Sequence, residues 1–148
     1  MKLRNQPFVL SLLALAAGIH AAGACTGITL RAEDGSYIQA RTMEWGSFDL
    51  QSELIIVPRG HQYTGVTPDG KPGHQWSAKY GVFGVNGLGR PDITDGLNEK
   101  GLAVSLLYLP GVAEYQTYDP AEAGNAISPM QAANWILTSC ASAAEVRE

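Results

Sequence analysis

Cys25 is the residue best placed for covalent chemistry, because it directly follows the small-residue run Ala21-Ala22-Gly23-Ala24. A cut after Ala24 would give one residue both a thiol and a free α-amine. That pair is a compact catalytic unit, since an amine with an unperturbed pKa of about 8 can take the proton of a thiol whose own pKa is about 8.5. The unit needs a cation to favour the thiolate, an acceptor to orient the ammonium, and donors for a tetrahedral oxyanion. Arg41 and Glu44 are the charged candidates close by in sequence.

Other uses of the same residues fit less well. Cys25 and Cys140 are the chain's two cysteines and could pair in an oxidising compartment, yet Cys140 ends an apolar helical pattern, where a free thiol behaves as a small hydrophobe. A Cys-His dyad would have to use His61 or His74, which stand in a polar stretch without a nucleophile motif. Two cysteines 115 positions apart and two histidines 13 apart lack the spacing of a zinc site, so no metal or cofactor is expected.

The elements that must position Cys25 begin with what precedes it. Lys2 and Arg4, the apolar run Phe8 to Ala17 and the small residues at 22 and 24 follow the order of an export signal, and the run is too short for a membrane span. Residues 1–24 are therefore expected to be a signal peptide, leaving 124 of the 148 residues in a periplasmic or secreted protein. Its loss takes the formal charge from −4 to −6, eight basic against fourteen acidic residues. No basic excess remains to track phosphates, which disfavours a nucleic-acid partner, and no membrane association is expected after signal removal.

Two β-rich runs, Cys25 to Ala32 and Tyr37 to Glu44, flank Asp34-Gly35 and read as a hairpin. If Asp34 and Gly35 form a two-residue loop, Cys25 faces Glu44, whereas Arg41 faces Ile28 on the opposite side from Cys25. On that register a bulge near Thr42 is needed to bring the guanidinium to the thiol. Further strands are expected at Glu53 to Pro58, Lys79 to Val85 and Leu102 to Leu109, the last buried on both faces, with a long loop over 59–76. A turn is expected at D-G-L-N-E-K-G, residues 95–101. Ser128-Pro129-Met130-Gln131 announces a helix, with a Ser cap, Pro at the first position and Gln three residues after the cap. A second such signature, Ser142 to Glu145, is followed by only three residues, and a truncated chain is expected on that ground.

With these residues in hand, the chain resembles the choloylglycine hydrolase and penicillin V acylase family of N-terminal nucleophile hydrolases. The resemblance is carried by C-T-G at 25–27, R-T-M-E-W at 41–45, V-P-R-G at 57–60 and D-G-L-N-E-K-G-L at 95–102, in that order. It implies an α+β fold, an αββα sandwich of which this chain is roughly the N-terminal half. It also implies hydrolysis of a linear, non-peptide carbon–nitrogen amide with an apolar acyl group. Cys25 would be nucleophile and, through its amine, base; Arg41 would support the thiolate; Asn98 would offer its side-chain amide to the oxyanion. Met43, Trp45 and Phe48 would line an acyl pocket, and full-length members would be homo-oligomers.

Glu44 departs from the pattern, which has aspartate there. Two later site residues, an Asn and an Arg, have no counterpart before Glu148, so the fragment alone is expected to have little or no activity. The rival classes are an exported lipoprotein with Cys25 lipidated, disfavoured by Ala rather than Leu at position 22, and a binding module with its cysteines paired. The resemblance leaves conjugated bile salts, phenoxyacetyl penicillins and long-chain N-acyl homoserine lactones as substrate classes, and the export signal tilts the choice toward the penicillin V type.

Overall fold

The computed structural model describes residues 25–44, 49–109 and 111–148. The expected signal segment, Trp45 and Phe48 lie outside the described residues. Eight strands are described: β1 (Gly27–Arg31), β2 (Tyr37–Arg41), β3 (Leu54–Val57), β4 (Gln62–Val66), β5 (Pro72–Ser77), β6 (Val82–Asn86), β7 (Ile93–Asn98) and β8 (Ala103–Ser105). One α-helix, α1 (Ala132–Ser139), follows them. The fold is α+β, dominated by antiparallel sheet.

The first hairpin corrects the expected register. Gly35 N donates to Ala32 O, Ala32 N donates to Ser36 O, and Gly35 alone of the turn residues takes a positive φ, of 86°. The loop therefore has three residues, Glu33 to Gly35, in which a tight turn is closed by a left-handed glycine. Asp34 Oδ1 accepts from Ser36 N and Oγ at 2.9 and 2.7 Å, which favours the longer loop over a two-residue one. One extra loop residue slides the whole ladder by one, so Arg41 pairs with Gly27 and Ala40 with Ile28. A one-residue slip exchanges the faces of a strand, and here it moves Arg41 onto the face of Gly27 and Cys25 without any bulge.

β3, β6, β7 and β8 form one antiparallel sheet in that order. The helix-facing side pairs Gly84 with Gly96, and a side chain at either would collide with its surroundings: a Cβ at Gly96 would stand 2.9 Å from Leu137 Cδ1. Gly96 leaves the hollow that admits Leu137, which is fully buried. Around it Val57, Val82, Ile93, Ala78 and Ala133 complete the core. The other side of the sheet, with Leu54, Ile56, Phe83 and Leu97, is exposed, as are Ile28, Leu30 and Ile38 on one face of the hairpin.

The expected loop over 59–76 is instead a second hairpin, β4–β5, laid against the helix. Tyr63 and Trp76 pair across it and stack at 4.8 Å, and Trp76 Nε1 donates to Thr138 Oγ1 at 3.0 Å. The Gly and Pro content of the stretch has a packing reason. Gly65 and Gly73 lie together under the Ala126 carbonyl, where a side chain on either would run into that oxygen. The β7 strand was hidden inside the expected turn at 95–101, which is confined to Glu99–Gly101 after the strand ends at Asn98. β8 is shorter than expected, and Leu107 to Leu109 beyond it are exposed rather than buried on both faces.

The helix start is as the sequence predicts. Ser128 Oγ accepts from Met130 N, and the Gln131 side chain returns to Ser128 N, before a 3-10 turn at Pro129–Gln131 leads into α1. Gln131 also accepts from Val66 N at 2.8 Å and donates to Thr64 O at 3.1 Å, clamping the bulge in β4 to the helix entry.

Candidate active site

Cys25 is half-buried two residues before β1, and its thiol is free, as is the buried thiol of Cys140. The disulfide alternative is therefore set aside. Burial, followed by the nearby Glu145 carboxylate, pushes the Cys140 thiol above its ordinary pKa, so it stays protonated and inert.

Past Gly27 the ladder continues for one more rung. Thr42 N donates to Thr26 O at 2.9 Å, but Thr26 N turns to the Thr42 hydroxyl oxygen at 3.1 Å. That substitution frees Thr42 O, which accepts from Arg41 Nε at 3.2 Å. Arg41 Nη1 donates to Leu106 O at 2.7 Å and Thr94 O at 3.3 Å, two carbonyls on one rung of the β7–β8 edge, where Leu106 N meets Thr94 O. The guanidinium is thus partly buried among main-chain acceptors, opposite Gly27 and two residues along the strand from Cys25. Gly27, opposite Arg41, interposes no side chain between them. Diagonal neighbours across such a ladder have Cα atoms about 7 to 8 Å apart, within the reach of an arginine.

The corrected register also changes the partner of Cys25. Continued one more rung, it sets Met43 at the level of Cys25 and moves Glu44, which is exposed, one place beyond. Met43 Sδ lies 4.0 Å from Ser52 Oγ and 3.8 Å from where a side chain on Gly87 would begin. The corrected register therefore does not set Cys25 opposite Glu44. Met43 presents a polarizable sulfur toward the turn after β6.

Asn98 lies elsewhere. It ends β7, four residues from Thr94, or about 13 Å along a strand. Its side chain is buried and bonded on both sides: Nδ2 donates to Leu137 O at 2.9 Å and Cys140 O at 2.7 Å, and Oδ1 accepts from Lys100 N and Leu102 N, each at 3.0 Å. The amide expected to serve an oxyanion is occupied in closing the end of α1 and the turn after β7.

Sequence reasoning missed the carbonyls of Thr94 and Leu106, because a main-chain acceptor leaves no mark in residue types. It also missed Gln39, Ser105 and Asp95, which join the hairpin to β7 and β8. Their signal was present, since Tyr37-Ile38-Gln39-Ala40-Arg41 alternates polar and apolar residues and so marks Gln39 and Arg41 as one face.

Residues 25–148 match the description "Linear amide C-N hydrolases, choloylglycine hydrolase family". The chain is 32% identical over 127 residues to a bile salt hydrolase/transferase of Bifidobacterium longum, covering 84% of this chain and 38% of that protein. It is 31% identical over 150 residues to a penicillin V acylase of Pectobacterium atrosepticum, covering 97% and 39%. With a bile salt hydrolase/transferase of Clostridium perfringens the identity is 29% over 126 residues, covering 84% and 36%. The chain thus spans well under half the length of these relatives, and no solved structure is significantly similar to it. On these grounds the chain belongs to the choloylglycine hydrolase family of linear amide C–N hydrolases.

Proposed function

We propose that this chain carries the nucleophilic part of an enzyme that hydrolyses a linear amide, with Cys25 exposed as the N-terminal residue by signal cleavage. The observation that supports the reading is the pairing of Arg41 with Gly27, two residues along the strand from Cys25. The family match beginning at residue 25 supports a mature start there.

In this mechanism the α-amine accepts the thiol proton and the sulfur attacks the amide carbonyl. The amine, now an ammonium, returns the proton to the leaving nitrogen, and water then releases the acyl group from the thioester with the amine again as base. Arg41 supplies positive charge to the sulfur from an anchorage on two carbonyls, and Met43 offers apolar contact to the acyl group. Asn98 has no part in this scheme, because its amide is bonded within the fold. Oxyanion donors are assigned to the remainder of a longer protein, since the relatives are more than twice this length. An αββα sandwich belongs to the same proposal: the helix covers one side of the four-stranded sheet, and the open apolar side is suited to a second sheet.

The substrate is proposed to be an amide with an apolar acyl group, of the penicillin V type, hydrolysed in the periplasm or outside the cell. The test is export of the natural full-length protein, with intact mass to read its N-terminus. A panel of phenoxyacetyl penicillin, a conjugated bile salt and a long-chain N-acyl homoserine lactone then follows, with Cys25→Ser as control. Amine release that is lost in Cys25→Ser is expected. Equal release by both proteins, or a mature N-terminus other than Cys25 in active enzyme, would refute the mechanism.

A further inference from the structure

Among the described residues, the hairpin that carries Cys25 and Arg41 shares no backbone ladder with the four-stranded sheet. Its position relative to that sheet therefore depends on side chains. One anchor is Arg41 on the Thr94 and Leu106 carbonyls. The other has no role in the chemistry above: Gln39 Nε2 bonds Ser105 Oγ at 2.7 Å, and Ser105 Oγ bonds Asp95 Oδ2 at 3.1 Å.

The direction of these bonds follows from the donor inventory. An ionised carboxylate only accepts, so the single Ser105 hydroxyl hydrogen points at Asp95, and the Ser105 oxygen must accept from the Gln39 amide. Each link orients the next, and a chain ending in a charge is stronger than its neutral bonds alone. Asp95 and Ser105 are direct partners across β7 and β8, so the receiving end is fixed by the sheet. Gln39 stands two residues before Arg41, on the same face of β2. The rung it reaches, Asp95 with Ser105, is next to the rung that Arg41 holds. Gln39 adds a second hold beside that of Arg41. Two anchors on adjacent rungs fix its rotation as well as its distance.

We infer that Gln39, Ser105 and Asp95 form a positioning relay that orients the nucleophile-bearing hairpin on the β7–β8 edge, so that Arg41 and Cys25 keep their relative placement. This inference rests on the hydrolase reading above and concerns residues that touch no reacting atom. It gives the exposed polar residue of β2 a task that a plain surface glutamine lacks.

The test uses the full chain and needs no turnover. Cys25 and Cys140 are alkylated with iodoacetamide at pH 7 and followed separately by peptide mass, the buried Cys140 reporting any general loosening. Gln39→Leu, at an exposed position, and Ser105→Ala should each slow alkylation of Cys25 by about 3- to 10-fold, in line with the loss of one hydrogen bond, with Cys140 unchanged. Ser105→Thr keeps the hydroxyl and should restore the rate to within about twofold of wild type. Rates for Gln39→Leu and Ser105→Ala within twofold of wild type would overturn the inference. So would a parallel rise at both cysteines, the signature of a merely destabilised fold. Arg41→Lys, run alongside, separates the two levels. A slowed Cys25 in Arg41→Lys but not in the relay variants overturns the relay alone, whereas a clear relay effect with no amide hydrolysis by the full-length protein overturns the hydrolase reading alone.

Discussion

Replacing Asn98 by alanine separates the two roles its position suggests, because one is measured in stability and the other in turnover. The side chain is 3% exposed and makes four hydrogen bonds, two as donor to Leu137 O and Cys140 O and two as acceptor from Lys100 N and Leu102 N. Alanine would leave two carbonyls at the end of α1 and two N–H groups of the β7–β8 turn without partners. At about 1 kcal/mol net per bond, and more wherever water cannot reach the stranded group, the loss is about 3 to 5 kcal/mol. That is a large share of the roughly 5 to 15 kcal/mol that holds a domain together. In urea, with a slope of about 1 to 2 kcal/mol per molar for a chain of this size, the midpoint should fall by roughly 2 M. Circular dichroism and tryptophan emission should report the same transition. Asn98→Asp keeps the two accepting bonds but sets a carboxylate against two carbonyls, so it too should be destabilised at neutral pH and recover partly on acidification as the carboxyl becomes a donor. A change of under about 1 kcal/mol in Asn98→Ala would refute this reasoning. If that stable variant had also lost amide hydrolysis in the full-length enzyme, the oxyanion role would be reinstated.

Two further outcomes follow from packing and charge. Gly96→Ala would set a methyl group 2.9 Å from Leu137 Cδ1 and 3.1 Å from Phe83 O, so about 1 to 3 kcal/mol of overpacking should appear as a lower urea midpoint; an unchanged midpoint would mean that α1 can lift off the sheet freely. Glu99 is held down to about 2, chiefly by its hydrogen bonds from Arg59 and then from Gly81 N. Its folded pKa lies below the ordinary 4.5, so its contribution to stability is present above about 4.5 and is lost as pH falls toward 2. The gap in melting temperature between wild type and Glu99→Gln should therefore narrow over that window, and a gap independent of pH would contradict the pairing.

The parts legible in the sequence were those set by local chemistry. The Ser128 to Gln131 cap can be read because its bonds close within four residues, and the structure forms the same bonds. The first two strands and their turn were legible for a similar reason. Their register was not, because Asp34-Gly35 is compatible with loops of two or three residues, and the choice lies in a left-handed Gly35 and the Asp34 bonds to Ser36. The β4–β5 hairpin was missed because its glycines mimic a loop composition. They serve a close approach to Ala126, a segment more than fifty residues further along.

The sequence by itself determined the nucleophile candidate, its family and the residue types around it, since these depend on side-chain identity and order along the chain. Tertiary structure decided which of those residues share a face. One additional loop residue set Arg41 opposite Gly27 instead of Ile28, and the packing of α1 drew the Asn98 amide into the end of the helix. Register and hydrogen-bond partners depend on contacts between segments far apart in sequence, and residue order leaves several such pairings open until the core selects one.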